Sequence, residues 1–282
     1  MFHHSWTALI TPFHNDHIDY KSFHNLLLRQ GPSAGVVVAG TTGESTTLSG
    51  AEYEDLVNYT VQHSPVPVVA GTGCYATHKT IERTRQATQL GIKGAMVVVP
   101  YYNRPCQRGL YAHFKAIHNA TTVPIMIYDI PKRTGSELEI ETIVALSKLP
   151  RIVAIKEATG DTHRLPALLS QLPQDFGVLI GDDALVPEAM NKGAHGVVSV
   201  LGNLEPTFMQ TLCTLCHQER MVQAKAATAA PTHPLLQEMI HQLDHYLARL
   251  DCGVNPVAIK HCLAQDGHIQ TADVRLPLVG LV

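Results

Sequence analysis

Charge of either sign is scarce in this 282-residue chain. Charged residues make up 16%, with 21 Lys plus Arg against 24 Asp plus Glu and a formal net charge of -3. No basic excess exists to neutralise a phosphate backbone, which argues against a nucleic-acid partner. Long apolar runs are lacking too: Gly94 to Pro100 is typical of the longest, against the roughly 20 residues a membrane helix needs. The opening MFHHSW turns polar at once and gives no basic-then-apolar leader signal. Six scattered cysteines do not make a disulfide framework in a chain this long. Aromatics reach only 6%, yet hydrophobic residues total 45%, which supplies a large core and excludes disorder. Together these absences point to a soluble protein of a reducing compartment, the cytoplasm, with no membrane partner.

What is present is a regular alternation. Short β-rich runs recur at 6–10, 35–39, 66–70, 94–99, 124–128, 152–156, 177–180 and 196–200, most of them apolar on both faces as buried parallel strands are. Helical stretches separate them. Ser49 and Glu52 form a capping box before EYEDLVNYTVQ. Thr77 is expected to cap THKTIERTRQATQL, which stops at Gly91. GLYAHFKAIHN, LEIETIVALSK and HRLPALLSQL continue the pattern, with Pro166 required near its helix's first turn.

Eight such units predict an α/β protein, a (β/α)8 TIM barrel over residues 1–220 that carries the active site. An open doubly wound sheet is the competitor. It lacks its usual support, because no G-x-G-x-x-G follows the first strand and Gly71-Thr72-Gly73 is too short a fragment. Beyond Arg220 the strand pattern stops. HPLLQEMIHQLDHYLARL and NPVAIKHCLAQDG read as helices, giving a small C-terminal helical domain at 221–282. The apolar tail VRLPLVGLV is expected to pack against the rest.

Polar clusters fall where these strands end: Gly40-Thr41-Thr42-Gly43-Glu44, Tyr101-Tyr102-Asn103-Arg104, Tyr128-Asp129, Lys156-Glu157 and Gly181-Asp182-Asp183. In a barrel those ends converge on the face that holds the active site. Strand alternation places Ile152, Ala154 and Lys156 on one side, aiming Lys156 into the interior. Loss of water there disfavours an ammonium, and a neutral amine is the nucleophile that condenses with a ketone to form a Schiff base. A lysine paired with Glu157 is an equal alternative. Tyr128 reads either as core aromatic or as the acid–base group such a lysine needs. Thr41 and Thr42 are either ordinary turn residues or, between glycines, a carboxylate-binding backbone.

No metal site is read. None of the 17 histidines lies at a strand exit, His241 and His245 lack a third ligand, and Cys213 and Cys216 form one isolated C-x-x-C suited to packing. Barrels that handle phosphates bind them after strands seven and eight, where this chain has Asp182 and Asp183, so a phosphorylated substrate is not expected.

GTTGE at 40–44, YYNRP at 101–105, Y-D-I-P-x-R-T-G at 128–135, IKEATG at 155–160 and GDD at 181–183 resemble the dihydrodipicolinate synthase family. The similarity runs from TALITPF at 7–13 to NPVAIK at 255–260 and RLP at 275–277. It implies a class I pyruvate aldolase that condenses pyruvate with aspartate-4-semialdehyde, in lysine and diaminopimelate biosynthesis. No cofactor is implied beyond the covalent Schiff base. Lys156 would bind pyruvate, and Tyr128 would move protons through Thr42 to Tyr102, which in the family enters from a neighbouring subunit. Thr41 and Thr42 would hold the pyruvate carboxylate and Arg133 that of the semialdehyde, while Gly181 and Val198 border the pyruvate pocket. The resemblance further implies a homo-oligomer, at least a dimer and usually a tetramer. Sibling N-acetylneuraminate lyases and 2-keto-3-deoxy sugar acid aldolases share the lysine and tyrosine but typically carry an apolar residue in place of Arg133. A non-catalytic keto-acid sensor is the alternative of another class.

Three departures stand out. Asp129 replaces a usual Asn. The chain ends soon after RLP, where many members carry a further helix. Gly50, Tyr75 and Lys79 replace the His or aromatic, Asn and Glu of members that respond to L-lysine, so weak or absent feedback by L-lysine is expected, a cationic Lys79 repelling the effector's ammonium.

Overall fold

Eight short strands form the core of the protein: β1 (His4–Ala8), β2 (Gly35–Val38), β3 (Val68–Gly71), β4 (Gly94–Val98), β5 (Ile125–Asp129), β6 (Ile152–Glu157), β7 (Gly177–Ile180) and β8 (Gly196–Ser199). The structure is a computed structural model and describes residues 2–225 and 233–281. Neighbouring strands pair in parallel and in sequence order, and β8 closes on β1 through Trp6↔Val198 and Thr7↔Ser199. The expected barrel is therefore present, each strand lying within two residues of its predicted run.

Successive strand residues face opposite sides. One set, including Trp6, Val37, Val69, Met96, Met126, Ala154, Leu179 and Val198, fills the barrel. The other, including Val36, Val38, Ile127, Ile155 and Val178, packs outward in the main core. The indole of Trp6 leaves no room at Gly35, where a Cβ would come within 2.2 Å of the ring. Phe2 tilts against Trp6 with ring centroids 5.0 Å apart.

The strands alternate with α1 (Tyr20–Leu28), α2 (Gly50–His63), α3 (Thr77–Gln89), α4 (Gln107–Ala120), α5 (Ile140–Ser147), α6 (Leu165–Leu169), α7 (Val186–Asn191) and α8 (Pro206–Lys225). The Ser49–Glu52 capping box is formed in both directions. Gly91 sits just past the end of α3 at φ +97°, and Pro166 lies in the first turn of α6. Two local expectations fail. Thr77 is inside α3 rather than capping it: Ala76 holds the cap position, and the Thr77 hydroxyl pairs with His113 Nδ1 at 2.9 Å. Ile152 joins the outer core rather than the interior. Ile125 pairs with Ile152 but Met126 with Ala154, so Val153 is an extra residue and the alternation restarts after it.

Beyond α8 come α9 (Pro234–Leu250) and α10 (Val257–Gln265). The buried Lys260 ammonium contacts the Glu44 carboxylate, donates to Asp273 O at 2.8 Å, and lies 4.2 Å from the Phe13 ring centroid. Burial draws this lysine down to about 8, against the opposing pull of Glu44. The closing tail is held by polar contacts. Arg275 pairs with Glu52 and Asp16 and stacks on Phe13, whereas Leu276 and Val279 stay exposed.

Candidate active site

Lys156 occupies the exit of β6 directly opposite Tyr128 on β5. Its nitrogen lies 4.4 Å from the centroid of the Tyr128 ring, and the residue is only 4% exposed. An amine out in bulk water would have excluded Schiff-base chemistry. Glu157, the alternative partner, faces the other side of the strand, accepts from Thr159 N at 2.8 Å and approaches Arg164. Among the described residues Lys156 makes no ion pair.

Gly181, just beyond β7, leaves the space this lysine uses. A Cβ there would lie 2.9 Å from Lys156 Cε and 2.6 Å from Ala158 Cβ. Val198 is wholly buried in the barrel interior on β8. A cavity of about 710 Å³ is lined by Thr41, Tyr101, Tyr128, Arg133 and Asn255, among others. Thr42, Lys156, Gly181 and Val198 are not part of its wall; Lys156 adjoins it through the Tyr128 ring.

Thr42 is buried in the turn that follows β2, and its hydroxyl accepts from Asn255 Nδ2 at 3.0 Å. Arg133, in the helical turn Pro131–Thr134 after β5, donates from Nη2 to Asn255 O at 3.2 Å. Asn255 thus ties together two predicted site residues, although Thr42 lies 213 positions away in sequence. Sequence reasoning noted NPVAIK only as a match and missed this link, which no local pattern reveals.

Tyr102 is not brought to the others. It is 92% exposed at φ +74°, and Tyr101 lines the cavity instead. Among the described residues no hydrogen bond joins Tyr128 to Thr42, so one chain by itself does not form the expected relay. Gly50, Tyr75 and Lys79 line the same cavity, with Lys79 Nζ donating to Tyr75 Oη at 3.3 Å.

The Asp182–Asp183 exit differs from the simple repulsive rim expected. Asp183 turns inward and accepts from Val200 N at 2.9 Å and Leu201 N at 2.8 Å. Two amides after strand eight, where other barrels seat a phosphate, are therefore already taken by a carboxylate. Burial raises the Asp183 pKa despite these bonds. Elsewhere, His195 Nδ1 accepts from Val178 N, and burial brings that imidazole down to about 4. His241 and His245 pair on an exposed face, and Cys213 and Cys216 are buried in packing. Among the described residues no three His, Cys, Asp or Glu side chains gather as a metal site, and no helix is long and apolar enough to cross a membrane.

A parallel barrel with a sheltered amine against a phenol at the C-terminal ends of its strands offers a site suited to Schiff-base chemistry, and the chain's relatives are lyases of the class I aldolase type. The relatives place it more narrowly. Residues 1–282 match the Dihydrodipicolinate synthetase family, and the chain belongs to that family. It is 40% identical over 287 residues to a 4-hydroxy-tetrahydrodipicolinate synthase of Persephonella marina, covering 99% of this chain and 92% of that one. Dihydrodipicolinate synthase from Aquifex aeolicus superposes with TM-score 0.91 at 35% identity, covering 100% of this chain and 93% of the other. The chloride-inhibited enzyme from Acinetobacter baumannii, solved with pyruvate, gives TM-score 0.91 at 34% identity over 100% and 94% of the two chains.

Proposed function

We propose that this protein condenses pyruvate with L-aspartate-4-semialdehyde to give 4-hydroxy-tetrahydrodipicolinate, without a cofactor. The Lys156 amine adds to the pyruvate ketone and water leaves, forming the Schiff base. Loss of a methyl proton gives the enamine, whose carbon attacks the semialdehyde aldehyde. Cyclisation through the substrate amine then displaces Lys156. Tyr128, against the lysine, carries the protons. Thr41 and Thr42 hold the pyruvate carboxylate, and Gly181 and Val198 shape the space around it. Arg133, on the cavity wall and braced by Asn255, grips the second carboxylate with its guanidinium fork.

The observation that carries this reading is the Lys156 nitrogen beside the Tyr128 ring, sheltered next to a cavity with Arg133 in its wall. The exposed Tyr102 supports its completing a neighbour's relay, in a homodimer or a tetramer made of two such dimers. The barrel, residues 1–220, carries the chemistry in this reading, and the helical part, 221–282, contributes Asn255.

Incubation with pyruvate and borohydride, followed by peptide mass analysis, is expected to place a reduced adduct on Lys156 and none in Lys156→Ala. Turnover with pyruvate and the semialdehyde is expected to exceed cleavage of N-acetylneuraminate or keto-deoxy sugar acids. No adduct, or a preference for a sugar acid, overturns the assignment.

A further inference from the structure

Behind the Tyr128–Lys156 pair lies a second cross-strand pair. Asp129 is in register with Glu157, and alternation turns both away from the barrel interior into the layer beneath the helices. Both are buried, at 0% and 4% exposure. Asp129 Oδ2 accepts from Leu138 N at 3.1 Å and Glu157 Oε1 from Thr159 N at 2.8 Å. Their other oxygens, Asp129 Oδ1 and Glu157 Oε2, are buried without a hydrogen-bond partner. Such orphans are costly and call for an explanation.

The charged groups that face Asp129 are few. Glu157 comes from β6, Arg164 from the segment after it, and Glu137 from the loop before α5. Arg164 Nη1 is 3.8 Å from Glu157 Oε2 but is engaged at 2.6 Å by Glu137, and Nη2 donates to Leu138 O at 2.8 Å. One distant guanidinium thus serves two buried carboxyl groups that are cross-strand neighbours. Two like charges at register-paired, buried positions repel, and a proton held by one of them relieves the repulsion and gives its orphan oxygen a hydrogen to donate.

We propose that Asp129 carries a proton and donates it to Glu157 Oε2, and that this shared proton makes Asp129 a positioning residue for Tyr128 and Lys156. The inference rests on the catalytic reading above. Each acid adjoins one member of the reactive pair in the chain, so the bridge ties the ends of β5 and β6 together just where the amine and phenol meet. Burial, reinforced by Glu157, pushes Asp129 up to about 7, which places loss of the proton within the working pH range. Once the proton leaves, two adjacent anions separate the strand ends or draw in water, and the lysine–tyrosine geometry loosens.

The test compares kcat across about pH 6 to about pH 9 for the oligomeric wild type, Asp129→Asn and Glu157→Gln. Wild-type kcat is expected to fall several-fold through an ionisation near 7, with little change in KM for pyruvate. Asp129→Asn keeps a permanent donor to Glu157 and an acceptor for Leu138 N, so this step should vanish. Glu157→Gln supplies the hydrogen from the other side and should also remove it. Infrared difference spectra should show a protonated carboxyl in the wild type that is absent from Asp129→Asn and lost as pH rises. Superimposable pH profiles, or no such band, overturn the proposal even if one variant fails to fold. Absence of a borohydride adduct at Lys156 would instead strike the catalytic reading, since the infrared band does not depend on turnover.

Discussion

Gly181→Ala adds one methyl group directly against the Lys156 side chain. The new Cβ would lie 2.6 Å from Ala158 Cβ and 2.9 Å from Lys156 Cε, whereas carbon atoms rest about 3.5–4.0 Å apart. Relief therefore requires displacements of about 1 Å, divided between Ala158 and the lysine chain. Overpacking of this kind costs about 1–3 kcal/mol in stability, which a folded barrel tolerates. The kinetic penalty is larger, because misplacing a reacting group by about 1 Å lowers rates about 100-fold. The variant should fold, show a modest drop in melting temperature, and lose about two orders of magnitude in kcat/KM for pyruvate. Borohydride trapping at Lys156 should slow in parallel. Wild-type turnover in a correctly folded Gly181→Ala protein would refute the placement of the reacting lysine against this glycine.

Replacing Glu44 by Gln removes the partner that opposes the desolvation of Lys260, leaving its buried amine to lose its proton or stay charged at a cost of up to about 3–5 kcal/mol, read as a lowered denaturant midpoint; the double variant Glu44→Leu/Lys260→Met should recover most of the loss, and additive losses would contradict a buried pair. The cation Lys79 lies in the cavity wall beside Tyr75, so millimolar L-lysine should inhibit weakly or not at all in a steady-state assay. Potent inhibition at sub-millimolar L-lysine would defeat that reasoning.

The barrel was legible because its signal is repeated eight times. Apolar strands and capped helices each speak weakly, but a regular alternation of both leaves few architectures. The Ser49–Glu52 box was readable because both its bonds are local. Ile152 was misplaced because a bulge depends on the neighbouring strand's register, which β6 alone does not reveal. Thr77 was misplaced because a helix starting one residue earlier converts a cap into a first-turn residue. Positions of Lys156 and Tyr128 followed from their strand ends, but their 4.4 Å juxtaposition required the pairing of β5 with β6. Asn255 was silent for a simpler reason: its two partners are distant in the chain, and an Asn before Pro looks like any other turn.

The inward turn of Asp183 bears on what this scaffold can be asked to accept. Its carboxyl oxygen is a built-in acceptor, covalently tethered and always at saturating local concentration, on the amides of Val200 and Leu201. A free phosphoester would have to evict a ligand that never diffuses away. Redesign toward sugar phosphates would therefore begin not by adding cations at the rim but by removing this internal occupant and bracing the loop it now secures.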